Sequence, residues 1–60
     1  MTTLEIIKHM HDCGGFNIEH ARRSAKLDGV TTHQYIKDWC LNMFPCSKYV
    51  AGKVADYYTQ

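Results

Sequence analysis

The sequence predicts an all-α domain, a compact bundle of four short helices. Three observations predict it. Apolar residues recur at three- and four-residue intervals in separate segments along the chain. A side chain suited to capping a helix stands before each segment: Thr2, Asn17, Thr31 and Ser47. The connections between segments are short, as in antiparallel helical packing. A chain of 60 residues holds one domain, residues 1–60. At that length folding buries only about 60% of the surface that the unfolded chain exposes, so the stability margin is thin.

The first helix opens on a capping box of Thr2 and Glu5, with Met1 and Ile6 placed to staple it. Leu4, Ile7, Met10 and His11 then follow helical spacing, and Ile6, Met10 and Cys13 widen the same stripe. Residues 4–7 alone would also suit a short strand, but the cap signals agree with the helical period. Gly14 and Gly15 stop the helix.

Asn17 caps a second helix that runs through Leu27. Its apolar face is thin, with Ile18, Ala21, Ala25 and Leu27. Small residues there allow a neighbouring helix to approach closely. Arg22, Arg23 and Lys26 form the other face, with Glu19 spaced to pair with either arginine. Gly29 supplies the left-handed backbone of the helix exit. Thr31 caps the third helix with Gln34 as capping-box partner, and Val30 and Tyr35 stand at the staple positions.

The third helix, Thr32 to about Met43, has the strongest period. Tyr35, Ile36, Trp39, Cys40 and Met43 should be the centre of the core, with Thr32, His33, Lys37, Asp38 and Asn42 facing outward. Pro45 lacks an amide hydrogen and disfavours helix at Phe44. Ser47 then caps the fourth helix. There Val50, Val54 and Tyr57 share one side, with Ala51, Ala55 and Tyr58 beside them. Gly52 weakens that helix.

Composition narrows the function. The net charge of +1 is no strong footprint for nucleic acid. The three cysteines are odd in number, and residues 1–8 carry no secretory pattern, so free thiols in a reducing cytoplasm are expected. The charge-free run 39–47 is far shorter than the roughly 20 residues of a membrane span. His9 and Cys13, four apart, could reach one metal, with His11, His20, Cys40 and Cys46 as further ligands. No zinc-type spacing accompanies them, so no metal or other cofactor is expected. Cys13 with His9 or His20 lacks an oxyanion donor or phosphate loop, and so small a bundle has little room for a small-molecule substrate. No enzymatic activity is expected.

Ala25, Gly29, Val30 and Thr31 resemble the alanine, glycine, apolar and capping positions of a helix-turn-helix DNA-binding unit. Asp28 stands where that unit carries an apolar residue. The same stretch, with Gln34, Tyr35 and Ile36, resembles the two-helix half of ribbon-helix-helix repressors. Residues 11–17 offer no alternating strand of the kind that precedes it there. The resemblance implies a transcription-control protein that binds duplex DNA, with dimerisation, through the charge-poor fourth helix, supplying affinity. Thr32, His33, Lys37 and Asn42 would then face base edges or nearby phosphates, and Arg22, Arg23 and Lys26 would hold phosphates.

The second expectation is a protein-binding inhibitor or adaptor, similar in style to the small antirepressors that bacteriophages encode against regulators. Seven large rings are hard to hide in so small a core. Trp39, Phe44, Tyr49, Tyr57 and Tyr58 would be its anchors.

Overall fold

The computed structural model describes residues 1–12 and 16–60. Four helices follow in order: α1 (Thr3–Asp12), α2 (Ile18–Asp28), α3 (Thr32–Met43) and α4 (Lys48–Tyr58). No strand occurs among the described residues. The expected stop at Gly14 and Gly15, and the metal pairing of His9 with Cys13, lie outside the described residues.

Each helix starts where local chemistry directs it. Thr2 N donates to Glu5 Oε1 at 3.0 Å and Glu5 N to Thr2 Oγ1 at 3.2 Å, a closed capping box. The Thr2 amide is the main reason the Glu5 carboxyl sits below its usual pKa. Asn17 Oδ1 accepts from Glu19 N and His20 N, and Ser47 Oγ from Val50 N. Thr31 Oγ1 accepts from Gln34 N at 3.1 Å, but that capping box is only half made. The Gln34 side chain does not return to Thr31; its Nε2 donates to Asp38 Oδ1, one turn further on, at 2.9 Å.

Gly29 ends α2 at φ 73°, with Gly29 N bonded to Lys26 O and Val30 N to Ala25 O. That pair of bonds is the Schellman motif. Beyond α3, Phe44 is extended before Pro45, and its amide closes on Cys40 O at 2.9 Å.

The core is narrow. Ile6, Met10, Ala21, Ala25, Ile36, Cys40, Ala51, Val54 and Ala55 are buried. Ala21 and Ala25 on α2, and Ala51 and Ala55 on α4, let these helices close on their neighbours. α3 packs chiefly on α4 and next on α2, while α1 lies against α4. A string of rings flanks this core. His9 meets Phe44 edge-on at 5.5 Å and Phe44 meets Trp39 at 5.8 Å. Phe16 lies 5.6 Å from Trp39 and 4.6 Å from Tyr58, and Tyr58 meets Tyr57 at 5.0 Å.

The periodicity placed several residues wrongly. Leu4, Leu27 and Met43, expected in the core, are 76%, 87% and 60% exposed. Ile6 and Met10 face the core from α1, and Leu4 points to another side. Leu27 lies across the helix axis from Ala21 and Ala25. Met43 shares the angular sector of Ile36 and Cys40 but is the last residue of its helix. On α4, Tyr58 rather than Tyr57 continues the buried side.

Cys40 and Cys46 are free thiols, and Cys46 Sγ donates to Cys40 O at 3.7 Å. Burial first, and the neighbouring Cys46 second, push the Cys40 thiol from 9.0 up to about 11. The unfolded chain therefore loses this proton before the folded chain does. The contribution of this thiol to stability is complete below about pH 9 and is lost as pH rises toward about 11. The urea midpoint should be lower near pH 10.5 than near pH 8, and a flat profile would contradict the burial of Cys40.

Candidate interaction surfaces

The turn between α2 and α3 has the geometry its sequence announces, but the side chains around it divide. Arg22 Nη1 donates to Glu19 Oε1 at 2.9 Å, while Arg23 and Lys26 are exposed. The hollow beside the turn is lined by Asp28, Val30, Tyr35, Asp38, Trp39 and Asn42. The two staple residues thus border one space, together with two aspartates. That lining repels a phosphate instead of attracting it.

The α3 residues expected to read bases do not share a face. His33 and Asn42 are nine positions apart, about 180° around a helix. Asn42 borders the acidic hollow, whereas His33 and Lys37 are half-buried on the side of α4. His33 Nε2 lies 2.7 Å from Asp56 Oδ1 of α4. Thr32 is also half-buried. Thr32, His33 and Lys37, expected to face outward, are thus partly covered but not buried, and His33 and Lys37 border residues of α4.

The expected aromatic anchors divide as well. Trp39, Phe44 and Tyr58 are half-buried in the ring string and pack on the core. Burial first, and Tyr57 second, raise the Tyr58 hydroxyl above its usual pKa. Tyr49 and Tyr57 are the outward rings, 72% and 54% exposed.

Tyr57 belongs to a groove that the sequence reading missed. Leu4, Ile7, Lys8 and His11 of α1 face Tyr57 and Tyr58 of α4 across a volume of about 370 Å³. Leu4, Ile7 and His11 recur at three- and four-residue intervals. They form a second stripe on α1, beside the buried stripe of Ile6 and Met10. The surplus of apolar residues on so short a helix was the available signal.

Among the described residues, no three His, Cys, Asp or Glu side chains converge as a metal site. No helix there is long and apolar enough to cross a membrane. Compared with protein-family models, with curated proteins and with solved structures, the chain matches none.

Proposed function

We propose that this chain is a small non-enzymatic regulatory protein, an inhibitor or adaptor that binds another protein through the groove between α1 and α4. The observation that carries the reading is the pairing of exposed Leu4 with exposed Tyr57 over Ile7 and Tyr58. Large apolar side chains left in water beside a concave surface are the mark of a docking site. The occupant this groove fits is an amphipathic helix of the partner. Its apolar face would meet Leu4 and Tyr57, and acidic residues on its flank would meet Lys8 and His11. A cytoplasmic setting suits the free thiols. Catalysis has no support from Cys40, because burial raises its pKa, the reverse of what activates a nucleophile.

The test is a pull-down with the wild-type chain, identification of the captured protein, and calorimetry with that protein purified. Tyr57→Ala should weaken binding by about 2 kcal/mol or more, as a true anchor does. Leu4→Glu should abolish it, and Arg23→Ala should leave it intact. Equal binding by wild type and Leu4→Glu would remove the groove from the interface. Light scattering of the chain alone decides whether that partner is a second copy.

One observation favours a second reading, duplex DNA at the turn. The Schellman exit at Gly29 and the Thr31 cap join α2 to α3 tightly, and Arg23 and Lys26 stand free for phosphates. On that reading Arg23→Ala with Lys26→Ala flattens the slope of log affinity against log salt by about 2, near 0.9 for each contact. Duplex binding with an unchanged slope in the double variant would reject it.

A further inference from the structure

We propose that the face shared by α3 and α4 binds single-stranded nucleic acid, with Lys37, Lys48 and Lys53 on the phosphates and Tyr49 stacked on a base. The net charge of +1 conceals how the charges are distributed. Lys37, Lys48 and Lys53 border one hollow of about 370 Å³, with His33, Tyr49, Gly52 and Asp56. These are three of the five lysines in the chain. Asp56 is the single carboxylate in that lining, and His33 already engages it at 2.7 Å. With His33 neutral, the lining still sets three lysines against one carboxylate, so the hollow is net cationic.

Tyr49 decides which anion fits. Its ring is 72% exposed, and Lys53 Nζ lies 5.4 Å from the ring centroid. A cation held at an exposed aromatic ring is the pairing that takes a phosphate and its neighbouring base together. A duplex keeps its base faces stacked inside and has no use for the ring. An acidic peptide would use the lysines and ignore it.

Gly52 is an independent observation. It occupies the interior of α4, where glycine is the weakest helix former apart from proline. Packing does not require it: a Cβ at this position would meet nothing within 4 Å. Its missing side chain keeps the hollow open for a ligand to approach the backbone. The surface is separate from the α1–α4 groove, so the two proposals stand or fall apart.

The experiment is fluorescence anisotropy with a short labelled oligothymidine, a duplex of equal length and a polyglutamate peptide, over a range of salt. Oligothymidine should bind at low salt with a log–log slope of about −2, near 0.7 for each of three lysine contacts. Lys48→Glu with Lys53→Glu should remove binding. Tyr49→Ala should weaken it about 5- to 150-fold, the span of base–aromatic stacking. Gly52→Leu should weaken binding while raising the melting temperature, opposite signs that a folding defect cannot produce. Leu4→Glu should leave oligothymidine binding unchanged. Absence of oligothymidine binding at low salt overturns the proposal. So does tighter binding of the duplex, and so does polyglutamate binding that matches oligothymidine and is indifferent to Tyr49. Should the double lysine variant fail to fold by circular dichroism, Tyr49→Ala and Gly52→Leu decide the matter, and oligothymidine affinity unchanged in both overturns it.

Discussion

Trp39→Ala should leave much of the chain unfolded at room temperature. The ring of Trp39 stands between Phe16 at 5.6 Å and Phe44 at 5.8 Å, and it packs on the buried cluster. Removing such a ring costs about 3–5 kcal/mol in lost burial and residual cavity. A chain of 60 residues has a total stability of about 3–9 kcal/mol. The loss is therefore comparable with the whole margin, and three elements feel it together. Phe16 leads into α2, Trp39 belongs to α3, and Phe44 opens the connection to α4. Far-ultraviolet circular dichroism against temperature is the readout, because the variant has no tryptophan left to fluoresce. A melting curve like that of the wild type would show that the ring string decorates the fold and does not support it. Tyr57→Ala is the contrast: that ring is 54% exposed, and its loss should stay within about 0.5 kcal/mol.

The helix boundaries were legible because they rest on local chemistry. Asn17, Gly29, Thr31, Pro45 and Ser47 act on backbone groups a few residues away, so sequence neighbours suffice to read them. The half-made capping box at Gln34 shows where that locality ends. The Gln34 side chain could accept from the Thr31 amide or donate to a carboxylate, and it donates to Asp38, one turn along. Which face each helix buries was less legible. Spacing tells which residues share a face but not which face meets a neighbour. On α1 two stripes competed, and only the position of α4 decides that Ile6 and Met10 go inward while Leu4 borders a groove.

The surfaces were least legible, because they are assembled from separate helices. Lys37 lies on α3, and Lys48 and Lys53 on α4. Net charge adds them to distant carboxylates and so hides their grouping. His33 and Lys37 were read as outward because they lie off the apolar stripe of α3. Spacing on α3 could not show that α4 borders that side: Asp56 gives His33 a partner there, so a polar side chain lies half-buried without an orphaned group.

Ile36→Ala set against Met43→Ala measures the difference between angular and longitudinal position on α3. The two residues are seven apart, two helical turns, and project to nearly the same side. The periodicity therefore treats them as equals. In the structure Ile36 is 0% exposed and Met43 is 60% exposed. Ile36 sits mid-helix, among the buried side chains of the core cluster, while Met43 is where α3 ends. Truncating Ile36 should cost about 2–5 kcal/mol. Alanine has a better helix propensity than isoleucine, so local preference offsets part of that cost and the measured deficit understates the packing loss. Truncating Met43 should change stability by no more than about 0.5 kcal/mol. Urea midpoints at constant m-value give both numbers. Equal losses at the two positions would place Met43 in the core and mean that the end of α3 packs more deeply than its exposure indicates.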